Sequence, residues 1–512
     1  MRRLATVSLA LFAACGPKKI ATPDPAIAAR ETLARADADL RAGCYDCLVA
    51  ALKQYESVRT VSVVSGAAAA GALRASLLLA FRERELGTTD SGYLEHARPL
   101  AAAVPEMQAD LAPIFDVVAG LPWRAGSGRS SGAPDSLGNN NLFRDRDART
   151  AAFRQNATRD ELSAYAFLAY ACESGSGLGI GNAEMRNAVG PMIDAPLVAY
   201  RLSICPTSGL AALDQVLEKE PRYKEAALYK GLRATSATKL DEADARYREA
   251  YEWKKTWPAV TLAIANVSMS AEEFEVSRQF YDETLTLAPN FPDALLGKLR
   301  ALTYLGKQED AIAVADQLLA LSRYPGDANY WKAYNELDLK RLDMAWTDVE
   351  AADRLLINSD VPKLAGIIAI DRMQYDVARQ KLETSRSRNP NDCTTLYYLL
   401  LVHAELRLWN DAARGAVAAA GCLTASEVGL RAEIERIRGD EKLPEARKAR
   451  MIAGRERQIS NAVKMRASCW YNGAVANYNL GKKEAAKELA EKLADDEQFG
   501  DRARQLLTIF LK

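Results

Sequence analysis

Histidine is almost missing from this sequence, since only His96 and His403 occur in 512 residues. Neither histidine lies in an HExxH motif, and no cluster of metal-ligand residues accompanies them. Ser-His-Asp and Cys-His catalysis also need a third convergent group, and the sequence places none near either histidine. His403 lies among leucines on a predicted helix, so we interpret it as a structural residue. The sequence therefore predicts no enzyme, no catalytic residue, no metal site and no cofactor.

An excess of charge of one sign is also missing, because Lys and Arg total 67 and Asp and Glu total 67. No basic stripe appears, so no nucleic-acid partner is predicted. Gly175, Gly177, Gly179 and Gly181 alternate, but they lack the G-x-G-x-x-G spacing and the Lys-Ser/Thr pair of a phosphate-binding loop. Beyond the apolar N-terminal residues, the sequence has no stretch of 18 consecutive apolar residues that could span a membrane.

What the sequence does contain is a short pattern that recurs six times between Gly190 and Cys422. A small residue follows a turn, and its successive positions differ by 34, 34, 34, 34, 33 and 34 residues. Small side chains suit two helices that cross closely, and one such pair cannot bury its apolar face without a neighbouring pair. The marker residues are Gly209, Ala243, Ser277, Ala311, Ala345, Ala378, Ala412 and, near the C-terminus, Ala486.

The repeat length of about 34 residues and the residue types at several positions resemble those of the tetratricopeptide repeat (TPR) family. Pro221, Pro289 and Pro390 stand twelve residues after a marker, where a proline stops the second helix. The consensus tryptophan is mostly absent, since only Trp470 occupies its position. The resemblance implies an all-α fold, an α-solenoid superhelix of helix-turn-helix repeats. Small or apolar residues of the family's first helix match Leu197, Gly231, Ala265, Leu299, Ala333, Gly366, Leu400 and Ala474.

The N-terminal residues predict export. Two arginines precede an apolar run at residues 4–14, which is too short to span a membrane and is typical of a secretory signal. Residues 12–15 resemble a bacterial lipoprotein signal, in which cleavage leaves Cys15 as a lipidated N-terminus. Ordinary secretion is the alternative, because Phe12 replaces the usual aliphatic residue. Gly16 is not the aspartate that retains such proteins in the inner membrane, so the resemblance favours the outer membrane.

Regions outside the array show weaker patterns. Residues 121–141 are rich in Gly, Ser and Asn, which favours a flexible excursion. Adjacent unlike charges in 423–468 predict an inserted helical pair with solvated faces. The predicted division is 1–14 signal peptide, 15–25 lipidated tether, 26–120 divergent helical hairpins, 121–146 flexible loop, 147–189 helix and Gly-rich loop, 190–422 TPR array of seven units, 423–468 charged helical insertion, and 469–512 last TPR unit with a capping helix.

Seven cysteines follow Cys15, and their spacing suggests disulfides in an oxidising compartment. Cys393 opens one helix and Cys422 closes its antiparallel partner, so a disulfide between them is geometrically reasonable. Cys172 and Cys205 would occupy near-equivalent positions of neighbouring repeats and form a second candidate pair. Cys44 and Cys47 form a CxxC without a second CxxC or a following histidine, so we interpret them as a local disulfide or as buried thiols.

The TPR resemblance also implies where a partner would bind, because the first helix of each repeat lines the family's concave surface. Tyrosines are favoured where partners dock, although some of these residues could simply pack between helices. Asn266 and Arg300 alone are too few to resemble the carboxylate clamp with which the family binds chaperone tails, so a chaperone tail is not predicted as the ligand. The candidate partner-binding residues are Asn266, Arg300, Tyr304, Tyr330, Tyr334, Tyr397, Tyr471 and Tyr478.

Together these patterns predict a cell-envelope lipoprotein that acts as a TPR interaction scaffold or assembly factor. Its groove would bind a protein or an extended peptide, and its N-terminal lipid would hold it on the outer membrane, facing the periplasm. The alternative is an outer-membrane lipoprotein that binds a small ligand or a glycan, with a pocket formed by the N-terminal half and residues 121–141. An enzyme built on a helical scaffold is a third class, and no motif supports it.

Overall fold

The computed structural model shows the predicted fold class. Its described residues form helices joined by turns, without a strand, so the prediction of an all-α solenoid of helical repeats is confirmed. No helix in this part of the chain is both long and apolar enough to cross a membrane. The predicted signal peptide, Cys15 and most of 121–146 lie outside the described residues. The described residues are 24–88, 90–105, 108–121, 151, 153–173, 182–205, 211–236, 239–441 and 443–510.

The helices follow one another at short intervals. A 3-10 helix, Gly190–Asp194, precedes the α-helix Pro196–Ser203. The α-helices are α1 (Pro25–Ala42), α2 (Tyr45–Val58), α3 (Ser65–Leu86), α4 (Tyr93–Ala102), α5 (Gln108–Gly120), α6 (Glu161–Glu173), α7 (Asn182–Val189), α8 (Pro196–Ser203), α9 (Ala211–Lys219), α10 (Ala226–Ser236), α11 (Leu240–Trp253), α12 (Pro258–Ser270), α13 (Phe274–Leu287), α14 (Pro292–Tyr304), α15 (Gln308–Ala320), α16 (Pro325–Asp338), α17 (Leu342–Asp353), α18 (Asp360–Asp371), α19 (Tyr375–Arg388), α20 (Cys393–Glu405), α21 (Trp409–Gly439), α22 (Glu445–Asn479), α23 (Lys483–Glu491) and α24 (Gly500–Phe510).

These helices form two compact units. The first contains the described residues of 1–82, 91–121 and 145–223, and the second contains those of 83–90 and 224–512. The boundary at 223 falls inside the predicted array 190–422, so the first predicted repeat belongs to the N-terminal unit. The reason is local packing. Tyr223 donates a hydrogen bond to the carbonyl of Ala42 at 2.7 Å, and a Cβ on Gly43 would meet Leu197 at 2.5 Å.

In the second unit each described marker residue is completely buried, as expected for a small side chain where two helices cross closely. Glycine occurs where a neighbouring side chain lies closest to the helix backbone. A Cβ on Gly297 would lie 2.1 Å from Cζ of Tyr281, so only a hydrogen fits there. Pro258 and Pro325 begin α12 and α16, where a missing amide hydrogen costs nothing. The buried markers are Ala243, Ser277, Ala311, Ala345, Ala378, Ala412 and Ala486, while Gly209 lies outside the described residues.

Six of the cysteines are paired. Cys393 with Cys422 and Cys172 with Cys205 are the two pairs that the sequence favours, and each has Cα atoms 5.4 Å apart. Cys44 and Cys47 form the local disulfide that was one interpretation of the CxxC, with Cα atoms 4.9 Å apart. Cys469 is buried and unpaired, and burial raises the pKa of its thiol to about 12. That thiol therefore stays protonated at neutral pH.

The segment 423–468 is not a separate inserted pair. Helix α21 has 31 residues and α22 has 35, so both repeat helices simply continue through the segment and form one long antiparallel hairpin. We call residues 423–468 the long hairpin. Its interior is apolar where the two helices meet, with Leu423 and Ala462 in one buried cluster that also contains Cys469, the next residue after the hairpin.

The prediction of solvated faces on the long hairpin is wrong at its far end. The side chain of Arg447 is only 8% exposed and forms an ion pair with Asp241, 206 residues away in sequence. Arg455 lies 2.8 Å from Glu272, so this end of the hairpin docks on the turns within two early repeats of the unit. These arginines are neutralised by distant repeats, which a pattern of neighbouring charges does not reveal.

Candidate functional site

A cavity of about 740 Å³ lies between the first helices α12 and α14 and the long helix α22. We call it the cleft. Its size falls within the range of roughly 300–1,000 Å³ that is typical of ligand sites. The repeats contribute the predicted residues Asn266, Arg300 and Tyr304, and α22 contributes Arg457, Gln458 and Asn461.

The side of the cleft formed by α12 is held by a buried tyrosine. The hydroxyl of Tyr281 donates a hydrogen bond to Oδ1 of Asn266 at 2.7 Å. Burial raises the pKa of Tyr281 to about 12, so this donor keeps its proton at physiological pH. The hydrogen bond fixes the amide of Asn266, because its oxygen faces Tyr281 and its NH₂ group has no partner among the described residues.

The charge of the cleft is positive. Its one lining carboxylate, Glu272, is paired with Arg455 at 2.8 Å. Arg300 and Arg457 also line the cleft, both are exposed, and neither forms an ion pair with a described residue. The guanidinium of Arg300 lies 5.8 Å from the ring centre of Trp331. Two cations are therefore available to an incoming anion.

A cluster of aromatic rings begins at the cleft and continues onto the next repeat. Phe274 stacks on Tyr304 with ring centres 4.8 Å apart, and Tyr304 lies 5.9 Å from Trp331. Trp331 in turn contacts Tyr330 at 5.3 Å and Tyr334 at 5.9 Å. We call these five residues the aromatic ledge. Tyr304 is 52% exposed and Tyr334 is 39% exposed, so the ledge offers apolar surface to solvent.

The three remaining predicted tyrosines lie elsewhere. Tyr397 donates a hydrogen bond to the hydroxyl of Ser468 at 3.3 Å, and Tyr471 stacks on Phe499 with ring centres 5.2 Å apart. Both are half-buried, so packing accounts for much of their surface, as the alternative interpretation held. Tyr478 is 40% exposed near the end of α22.

Several residues of the site were not identified from the sequence, and some left a signal there. Arg457 has no acidic residue three or four positions away, unlike an arginine that is paired along its own helix. Gly454 interrupts a helix of good helix formers, and in the structure a Cβ there would lie 2.6 Å from Oε2 of Glu272. Trp331 directly follows the predicted residue Tyr330. It was not predicted because it does not occupy a repeat position that lines the concave surface in the TPR family.

Other kinds of site find no support in the described part of the chain. No group of three or more His, Cys, Asp or Glu side chains there could hold a metal ion. His403 is buried, and burial lowers the pKa of its imidazole, which fits the structural role expected for it. The cleft and the aromatic ledge are thus the surfaces on which a function can be argued.

Comparison with known proteins gives likenesses of architecture. No protein-family model matches the chain, and no curated protein matches it either. Among solved structures, a tetratricopeptide repeat protein from Parabacteroides merdae is 14% identical, with a TM-score of 0.34 over 56% of this chain and 99% of that one. YrrB, a TPR protein with an unusual peptide-binding site, is 16% identical, with a TM-score of 0.26 over 51% and 97%. The APC/C hetero-tetramer Cut9-Hcn1 is 10% identical, with a TM-score of 0.42 over 95% of each chain.

Proposed function

We propose that this protein is an interaction scaffold of the cell envelope that binds a protein or an extended peptide on the first helices of its repeats. The aromatic ledge carries the proposal. It places the exposed rings of Tyr304 and Tyr334, with the partly buried Trp331 between them, on the two successive first helices α14 and α16. Aromatic residues of these kinds supply much of the binding energy at protein interfaces. An extended chain lying across these two repeats would meet an exposed tyrosine on each of them.

The envelope location rests on the N-terminal sequence together with the cysteines. Three cysteine pairs at bonding distance suit an oxidising compartment such as the periplasm. The signal-like residues 4–14 followed by Cys15 supply the route there and the lipid anchor. We propose attachment to the outer membrane on its periplasmic side.

Removal of two ledge tyrosines tests the binding role. We expect the double change Tyr330→Ala and Tyr334→Ala to weaken capture of the partner roughly tenfold or more, because truncated aromatic hot spots cost at least about 2 kcal/mol. Capture uses the mature chain with Cys15 kept, in the native envelope, and the ratio of partner to protein is measured. The matched control is Ile357→Ala plus Met373→Ala, which removes two exposed apolar side chains away from the ledge. Equal capture by all three proteins would exclude the ledge as the binding surface.

The lipid anchor has its own test. We expect Cys15→Ser to abolish labelling by radioactive palmitate and to move the protein from the membrane fraction to the soluble periplasmic fraction. Cys469→Ser serves as the control, because that thiol is buried in the folded protein and should leave labelling unchanged. A Cys15→Ser protein that is still labelled, or that still sediments with membranes, would contradict lipidation at this residue.

The cleft favours a second candidate function, the binding of a small ligand. That function was expected to use the N-terminal half and residues 121–141. The cleft instead belongs to the second compact unit and uses α22 as a wall.

A further inference from the structure

The cleft differs from the aromatic ledge because it has two walls. One wall is the pair of first helices α12 and α14, and the other is α22, a helix from a distant part of the sequence. The walls are held together by the ion pair of Arg455 with Glu272 and by the side-chain-free surface of Gly454. A cavity with fixed walls suits a small molecule better than a long chain.

The charges of the cleft select an anion. Arg300 and Arg457 face the same cavity without an ion pair to any described residue, whereas Glu272 is already neutralised. A guanidinium presents parallel N–H donors that match the two oxygens of a carboxylate. One carboxylate held between the two arginines would neutralise one of the two positive charges of the cleft.

The uncharged polar groups select hydroxyls. Asn266 has a free NH₂ group, and the side-chain amides of Gln458 and Asn461 make no hydrogen bond with a described residue. An amide both donates and accepts, and a hydroxyl does the same, so each amide can satisfy one or two hydroxyls of a ligand. Three amides around one cavity therefore favour a ligand with several hydroxyl groups.

An aromatic surface completes the cleft. Phe274 and Tyr304 both line it and stack on each other at 4.8 Å. The faces of aromatic rings are electron-rich, so they attract the weakly positive C–H groups on the apolar face of a sugar ring. A sugar ring with an apolar C–H face, several hydroxyls and a carboxylate fits all three features.

We propose that the cleft binds a small hydroxylated carboxylic acid of the acidic-sugar class. Arg300 and Arg457 hold the carboxylate, the amides of Asn266, Gln458 and Asn461 hold hydroxyls, and the stacked rings meet the apolar face. This ligand site goes beyond the scaffold role, because Tyr330 and Tyr334 do not line the cleft.

Calorimetric titration of the mature full-length protein tests the site. The probes are D-galacturonate, its neutral counterpart D-galactose, inorganic phosphate and an acetylated acidic tripeptide. We expect galacturonate to bind at least tenfold more tightly than galactose, because loss of a charge-assisted hydrogen bond costs about 1.5–3 kcal/mol. Binding should also weaken as salt is added.

Two variants locate the carboxylate. Arg300→Gln and Arg457→Gln should each weaken galacturonate binding roughly tenfold. The matched control Lys464→Gln removes one positive charge from an exposed position of the same helix α22 outside the cleft, and it should bind as the wild type does. Both arginines are exposed, so the variants should keep the circular dichroism and urea midpoint of the wild type.

The proposal is overturned if galacturonate fails to bind, if galactose binds equally well, or if both arginine variants bind galacturonate as the wild type does. It is also overturned if phosphate or the acidic peptide binds and galacturonate does not. The variant with Tyr330→Ala and Tyr334→Ala should keep its affinity for galacturonate. Loss of partner capture in that variant therefore reports on the scaffold role alone.

Discussion

Raising the pH from about 5 to about 9 should lower the free energy of unfolding of the wild-type protein more than that of a Glu336→Gln variant. Glu336 is completely buried on α16. Burial, aided by the neighbouring carboxylate of Asp348, raises the pKa of Glu336 from 4.5 to about 8. Between those two values the folded protein holds a proton that the unfolded chain has lost. Unfolding then releases a proton, so stability falls as the pH rises.

The size of the effect follows from the groups around Glu336. Lys332 lies 2.9 Å from Asp316 and 3.5 Å from Asp348, so its charge is shared with other carboxylates and does not fully offset an ionised Glu336. We expect the two proteins to be similar near pH 5 and the variant to be more stable near pH 9, by on the order of 3 kcal/mol.

Urea unfolding followed by circular dichroism at several pH values measures the difference. The comparison of the two proteins cancels other titrating groups, such as His403, which both contain. Glu350→Gln is the matched control, because this carboxylate is exposed on α17 in the same repeat. If wild type and Glu336→Gln lose stability equally over this range, the buried carboxyl does not carry the pH dependence.

Reversal of three charges should release the far end of the long hairpin. Arg447, Arg450 and Arg455 each meet an acidic residue of the early repeats: Asp241, Glu273 and Glu272 respectively. Their change to glutamate would bring like charges together, and at Arg447 and Arg455 this happens where the side chains are only 8% and 17% exposed. Removing one partner of a buried pair alone costs about 3–5 kcal/mol, and partial exposure reduces that figure.

Hydrogen exchange measured by mass spectrometry should show the release. We expect residues 445–461 to lose protection in the triple variant, while the repeats at 325–405 keep theirs. Adding Asp241→Arg, Glu272→Arg and Glu273→Arg restores opposite charges at the three contacts with the early repeats and should restore part of the protection, because Arg455 also pairs with Glu433 of the hairpin and that ion pair stays lost. Arg438→Glu is a control at an exposed pair within the hairpin. Unchanged protection of 445–461 in the triple variant would mean that apolar packing holds this end in place.

The sequence predicts the repeats well because each repeat contacts mainly its neighbours. Ala311 and Ala345 are small for a local reason, the close crossing of two adjacent helices, so their spacing alone reveals the fold. Docking of the long hairpin depends instead on residues such as Arg447 and Asp241, which are 206 positions apart. No periodicity connects such residues, and charges along one helix look the same whether solvent or a distant repeat neutralises them.

The candidate site was likewise predictable only where it is built from the repeats. Register on the first helix identifies Asn266, Arg300 and Tyr304, because every repeat presents these positions on one face. Arg457 lies on the part of α22 that precedes the last repeat, where no repeat register applies, so the second wall of the cleft could not be placed. The same register also selected Tyr471, whose ring packs on Phe499 because the end of the array must be covered.

The docked hairpin changes how the repeats unfold. In a simple array, each repeat is coupled only to its neighbours, and the ends can fray one repeat at a time. The contact between Arg447 and Asp241 closes a loop of 206 residues, whose ends must find each other at an entropic cost that grows with the logarithm of loop length. Once closed, the loop ties early and late repeats together, so the repeats between them melt as one cooperative block rather than from a free end.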